Sequence, residues 1–201
     1  EMQKGEEVYL TGLELLMVML AGVSLPRPEY NKMMKDLIAA LKANGPRIKP
    51  KVRLLYTGGH ADNPEFFELL QQNDAHVVSD NTGFGTRAAD VLICEDGDPL
   101  EAIINYYFEE KPAATRQMGT QVERMERLLD LVKQYKADGV VASRLYMCDL
   151  WAFEHFLMRK RLHENNVPFL ELEVDYTPEG QGQIKTRVQA FVESLADRQT
   201  A

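Results

Sequence analysis

Cysteine is scarce in this chain, with two in 201 residues. Two thiols make no disulfide framework, so a reducing, cytoplasmic setting is expected. Neither Cys94 nor Cys148 belongs to a CxxC pair, and no two histidines stand at zinc-site spacing. Long hydrophobic runs are also missing. The apolar stretch from Leu13 to Val23 contains Glu14 and is too short to span a bilayer. No basic leader with a small-residue cleavage site precedes it, so neither membrane nor export is expected. The formal net charge is −8, and no basic stripe offsets it. Nucleic-acid binding needs clustered Lys and Arg, and the longest cluster, Arg159-Lys160-Arg161, reads as the solvated face of a helix. No Gly-Lys-Ser/Thr and no dinucleotide fingerprint occurs, and there is no internal repeat or low-complexity segment.

What is present reads as a soluble globular protein, 45% apolar and 27% charged. Its length suits one domain with a helical extension. Thr11-Gly12-Leu13-Glu14 fits a capping box before a helix carrying Leu13, Leu16, Met17 and Leu20. Pro26 and Pro28 interrupt, and a second helix is expected from Glu29 to Ala43, its Met33, Met34, Leu37, Ile38 and Leu41 forming a packing stripe. From Val52 the rhythm becomes strand, loop, helix. Strands are expected at 52–56, 75–79, 138–143 and 167–174. Between and after them, helices are expected from Asn63-Pro64, from Asp98-Pro99 to Phe108, and over 117–135, 150–165 and 182–196. Strands separated by helices imply parallel pairing through right-handed crossovers. The fold class is therefore α/β: a small doubly wound, mostly parallel sheet of about four strands, flavodoxin- or Rossmann-like. Residues 1–46 form an N-terminal helical segment and 47–201 the α/β domain.

Ligands of such sheets collect beyond the carboxyl ends of the strands. Four loops occupy that edge, at 57–63, 80–87, 143–149 and 175–183. In the first, Gly58 and Gly59 permit close approach of a ligand to the backbone before a helix N-terminus, or form only a tight turn. His60 is a candidate proton donor there, or simply exposed. Cys148 precedes the helix carrying Trp151, Phe153 and Phe156. The amino end of a helix favours a thiolate, which suits metal ligation or nucleophilic chemistry; an inert buried thiol is the alternative. Cys94 stands beside Glu95 and Asp96, acids that oppose a thiolate, and is expected to be inert. Glu171, Glu173 and Asp175 share one face of the last strand, with Tyr176 at its end. Gly180-Gln181-Gly182-Gln183 then leads into a helix with Thr186 and Arg187 in its first turns. An arginine so early opposes the helix dipole, which fits either an anionic ligand or a salt bridge with Glu173 or Asp175.

These stretches carry a resemblance. Tyr9-Leu10-Thr11-Gly12-Leu13-Glu14, Gly139-Val140-Val141 with Tyr146-Met147-Cys148-Asp149, Leu170-Glu171-Leu172-Glu173-Val174-Asp175-Tyr176, and the run from Gly182 to Phe191 resemble the C-terminal part of 2-hydroxyacyl-CoA dehydratase and benzoyl-CoA reductase subunits. The likeness covers nearly the whole chain in order and spacing. It implies an oxygen-sensitive enzyme of two homologous subunits, each holding a [4Fe-4S] cluster through three cysteines. An ATP-hydrolysing activator protein would inject one electron, and radical chemistry on an acyl- or aryl-CoA thioester would remove water or reduce an aromatic ring. Cys148 matches the C-terminal cluster ligand, the others being expected outside this chain. The chain opens Glu1-Met2 without an initiator Met, in keeping with a piece of a longer subunit. Gly58, Gly59, Gln183, Thr186 and Arg187 would line the substrate side, and Tyr146 and Trp151 would supply aromatic walls. The chain departs from the family at Gly83, where many relatives carry cysteine, while Asp80 and Arg87 match. That departure fits a divergent subclass or a supporting subunit. A non-catalytic partner subunit without a cluster, and a flavodoxin-like ligand-binding module with Cys148 merely buried, are the alternative functions.

Overall fold

The run Val52-Arg53-Leu54-Leu55-Tyr56-Thr57-Gly58 is buried at every position and forms β1 (Val52–Gly58), an inner strand of the sheet. A strand covered on both faces reads as a near-continuous apolar run rather than an alternation, interrupted here by the buried Arg53 and Thr57. The structure is a computed structural model and describes residues 2–59, 63–72, 74–175 and 181–200, the last segment by backbone alone at 181 and 200. β2 (Ala75–Asn81), β3 (Gly139–Leu145) and β4 (Phe169–Val174) complete a four-stranded sheet in the order β2-β1-β3-β4, every pairing parallel. β1, β2 and β3 run two residues further toward their carboxyl ends than hydrophobicity alone implies, because Thr57, Asn81 and Leu145 still find ladder partners, whereas β4 ends at Val174 as expected.

Helices cover both faces. α1 (Gly12–Ser24), α3 (Pro64–Leu70) and α7 (Gln181–Thr200) pack Leu16, Phe67, Leu70, Val188, Val192 and Leu195 against Val52, Leu54, Tyr56, Val77, Val141 and Leu172. On the other face α5 (Gln121–Gln134) and α6 (Asp149–Glu164) press Leu128, Leu129, Val132, Met158 and Leu162 onto Leu55, Val140 and Ala142. The expected doubly wound architecture is thus observed. Thr11 caps α1 in a reciprocal box: Glu14 N–H donates to Thr11 Oγ1 at 3.1 Å and Thr11 N–H to Glu14 Oε2 at 2.8 Å. α1 seats directly on the sheet at Gly12, where a Cβ would lie 2.6 Å from Val77 Cβ.

Two elements differ from expectation. α2 (Arg27–Asn44) buries only Leu41 fully and leaves Met33 and Ile38 exposed, because α1, α3 and α7 already cover that face of the sheet. Of the stripe read as packing surface, Leu41 is buried, Met34 and Leu37 are half-buried, and Met33 and Ile38 face solvent. α5 starts at Gln121 rather than Gln117: Gly119 takes φ +84°, which no helix continues through. Residues 114–120 are instead a closely bonded turn, with Ala114 N–H donating to Gln117 Oε1 at 2.6 Å and Gln117 N–H to Ala114 O at 2.9 Å. α4 (Pro99–Asn105), capped by Asp98 and continued by a π-turn at Tyr106–Glu110, precedes that loop.

Candidate active site

The chain leaves β1 toward β2 on one side and returns as β3 on the other, so the switch in strand order falls between β1 and β3. Such a switch opens a crevice at the carboxyl edge, since the two loops leave in opposite directions. A cavity of about 430 Å³ lies there. Gly58 and Gly59 come to it from the end of β1, Thr82 to Phe84 and Arg87 from beyond β2, Leu145 from the end of β3 with Cys148 beyond it, and Leu150 and Trp151 from the first turn of α6. The loop Ala114-Thr115-Arg116 closes the far side.

Each glycine is forced by its neighbours. Gly58 has φ +150°, and a Cβ on it would fall 2.3 Å from the Ser143 carbonyl oxygen, so only glycine lets β1 and β3 part this closely. A Cβ on Gly59 would lie 2.6 Å from Trp151 Nε1, which means the indole packs straight onto the backbone of the loop. Beneath them Tyr56 Oη and Ser143 Oγ share a short hydrogen bond that ties the two strands.

Cys148 is the N-cap of α6 and makes no side-chain cap bond. Its backbone N–H donates to Leu145 O at 3.1 Å, and Met147 takes φ +60°, so the chain reverses sharply between strand and helix. That left-handed turn presents the half-buried thiol to the cavity beside Trp151. Cys94, by contrast, is exposed and does not line this cavity.

A buried polar shelf supports the β2 side. Asp80 accepts from Thr82 N–H at 2.9 Å, Thr82 Oγ1–H at 2.7 Å and Thr86 N–H at 3.2 Å. Burial pushes its carboxyl pKa up, against those hydrogen bonds and the nearby Arg87 charge. Behind the closing loop, Arg124 and Glu154 form a buried two-pronged pair at 2.7 and 2.8 Å. The same guanidinium donates to Gln117 O at 3.1 Å and Thr120 Oγ1 at 2.6 Å, so one ion pair fixes α5, α6 and the loop that carries Arg116.

The structure brings Gly58, Gly59 and Cys148 together in one cavity. Gln183, Thr186 and Arg187 lie exposed in the first turns of α7, outside the lining of that cavity. Thr186 Oγ1 donates to Gly182 O at 3.1 Å, and Arg187 Nη2 donates to the Glu171 carbonyl at 2.7 Å. Glu171 and Glu173 do share a face, where they pair with Arg144, and Glu171 also with Arg159. Trp151 lines the cavity, whereas Tyr146 is exposed outside it. His60, Tyr176 and Gly180 lie outside the described residues, as does the side chain of Gln181. Sequence reasoning missed the Ala114–Arg116 wall. Its signal was there: Pro112 and Gly119 bracket a stretch without periodicity, which marks a loop.

The family model of the 2-hydroxyglutaryl-CoA dehydratase D-component matches residues 1–195. The chain belongs to this family. Among similar proteins is YjiM of Escherichia coli (strain K12), named for a dehydratase subunit, at 29% identity over 75% of this chain and 39% of its own length. The (R)-phenyllactyl-CoA dehydratase beta subunit of Clostridium sporogenes is 24% identical over 89% of this chain and 47% of its own. A benzoyl-CoA reductase subunit of Thauera aromatica is 22% identical over 90% and 48%. The chain thus spans about half the length, or less, of these dehydratase-family relatives. Among the described residues no helix is long and apolar enough to cross a membrane.

A family cluster would need more than one thiolate. The cavity wall offers Cys148, a free cysteine, and among the described residues no group of three His, Cys, Asp or Glu is placed to hold a metal ion. Cys148 could supply at most one ligand of such a cluster.

Proposed function

We propose that the chain is a component of an ATP-dependent radical enzyme that dehydrates a 2-hydroxyacyl-CoA or reduces an aryl-CoA, and that the β1–β3 cavity is where it meets its thioester. The observation that carries this reading is the placement of Cys148 in the wall of a cavity on the strand-order switch, in a chain of this family. Cys148 would supply one thiolate to a [4Fe-4S] cluster, with the other ligands contributed from outside this chain. When bound, the cluster supplies single electrons at low potential. The Gly58–Gly59 backbone lets the thioester approach the sheet edge, and Trp151 walls off water. Gln183, Thr186 and Arg187, exposed where the chain re-enters a helix after β4, would meet the more distant part of the substrate. A homologous second subunit and an ATP-hydrolysing activator as electron donor complete the reading.

The test is iron and acid-labile sulfide per chain with an EPR spectrum after reduction, on protein purified and assembled with its partner without oxygen. About four of each, lost in Cys148→Ser, is the expected result. A folded anaerobic complex whose iron is unchanged by Cys148→Ser would overturn the ligand role.

A further inference from the structure

The chain is acidic as a whole, at −8, yet its cavity is not. A second cavity of about 230 Å³ adjoins the first and shares Gly83, Arg87 and Ala114 with it. Among the described residues lining the two, every charged side chain is a cation: Arg87, Arg116 and Lys111. Lys111 Nζ sits over the Tyr107 ring at 4.8 Å, which holds the ammonium at the wall without neutralising it.

Arg87 is the centre of this arrangement. Three arginines crowd the shoulder behind β2, and two have partners: Arg124 has Glu154, and Arg127 has Asp90 at 2.6 Å. The half-buried guanidinium of Arg87 makes no hydrogen bond or ion pair with a described residue. Asp80, the acid that attracts it most, is engaged by Thr82 and Thr86 instead. Burial, then repulsion from Arg127 and Arg124, disfavours the Arg87 cation and outweighs attraction to Asp80 and Glu154, and a guanidinium has no neutral form to escape to at ordinary pH. A partly desolvated cation with no bonded acid of its own leaves room for a counter-ion. Gly83 shapes the place for one. A Cβ there would come within 3.0 Å of Arg87 Nη2, so the missing side chain lets the guanidinium lie against the backbone and face both cavities.

We propose that Arg87, with Arg116 and Lys111 around it, is an anion receptor, and that the ligand of this cavity presents a carboxylate or a phosphate to the Arg87 fork. This deepens, and rests on, the reading of the cavity as a thioester site. A second acid group on the acyl chain and the phosphates of the coenzyme are the two sources of that charge. A planar fork suits either oxyanion, and the surrounding cations add attraction that salt weakens.

The test is calorimetric titration of the purified chain with glutarate, inorganic pyrophosphate, coenzyme A and butyryl-CoA, at low and high salt. Arg87→Gln is expected to weaken the binding anion at least about tenfold, one lost charge-assisted bond. Arg87→Lys recovers part of the affinity, and Gly83→Ala weakens it with the charge retained. Arg161→Gln, on the outer side of α6, leaves it unchanged. A response from glutarate assigns the charge to the acyl chain; a response from pyrophosphate and coenzyme A alone assigns it to the coenzyme. Butyryl-CoA binding that ignores Arg87→Gln and Arg116→Gln, each with an unaltered circular dichroism spectrum, overturns the anion receptor and keeps the thioester site. Pyrophosphate binding that depends on Arg87, with neither coenzyme A nor butyryl-CoA binding, does the reverse. Silence from all four probes overturns both.

Discussion

Two clusters of charge sit near the carboxyl edge of this sheet, and they are built on opposite rules. At β4, Glu171 and Glu173 meet Arg144, Glu171 also meets Arg159, and each charge has a partner of opposite sign. Burial works to raise the Glu171 pKa, but the Arg159 hydrogen bond and neighbouring positive charge hold it below the ordinary carboxylate value. At the β1–β3 cleft, Arg87, Arg116 and Lys111 face open space with no acid among the described lining residues. The β4 cluster is complete and ties α6 and α7 to an edge strand. The cleft is incomplete, and its deficit is the kind a ligand supplies. Charge that the fold has already balanced is architecture; charge left unbalanced in a cavity points outward to a ligand.

The sharpest way to break that contrast is to make a balanced site unbalanced. Glu154→Ala strips the buried partner from Arg124, whose side chain is 7% exposed. An uncompensated buried charge costs about 3–5 kcal/mol, so urea unfolding should show a loss of that size. The Ala114–Arg116 loop should loosen with it, since the same guanidinium holds Gln117 and Thr120. A loss under about 1 kcal/mol would mean water reaches Arg124 and the pair is not structural.

The sheet was legible in the sequence because its cause is local. Leu54 to Tyr56 and Gly139 to Ala142 are apolar runs between turn signals, and helices alternate with them, so parallel order followed. Cys148 and the Gly58–Gly59 pair were legible for the same reason, as residues at strand ends. The cationic wall was not. Arg87, Lys111 and Arg116 are separated by helices and loops, and only the fold puts them on one cavity. Whether a charge is paired was equally invisible: Arg124 and Arg87 read alike until Glu154, 30 positions further on, is seen beside one of them.

Even the balanced cluster contains one unbalanced member, and pH should find it. His155 is fully buried against Trp151 and Phe169, and neither ring nitrogen has a hydrogen bond. Burial lowers its pKa, outweighing Glu171 at 3.4 Å, so the ring is neutral at pH 7 and the Glu171 charge is balanced by Arg144 and Arg159 instead. The unfolded chain therefore binds a proton near pH 6.5 that the folded chain refuses. Stability falls as pH drops below that value, by at most about 1.4 kcal/mol per unit for this group. His76, lowered by burial too, adds to the same window, whereas Glu171 acts only below its ordinary 4.5. His155→Met should flatten the slope of unfolding free energy between pH 6.5 and 5 relative to wild type. An unchanged slope would mean the ring is protonated or solvated in the fold.

The smallest expected effect separates the two clusters most cleanly. Arg87 is drawn toward Asp80 and Glu154 but repelled by Arg124 and Arg127 and penalised by burial. Those contributions oppose one another, and no hydrogen bond is lost with the side chain. Arg87→Gln should therefore change the unfolding free energy by no more than about 0.5 kcal/mol, or stabilise the fold slightly. Thermal unfolding without ligand, at low and moderate salt, measures it. Salt should narrow the difference by screening the three-arginine repulsion. A loss as large as that of Glu154→Ala would show that the Arg87 charge is answered within the chain. The cleft would then be a second balanced cluster, and the distinction between architecture and receptor would fall with it.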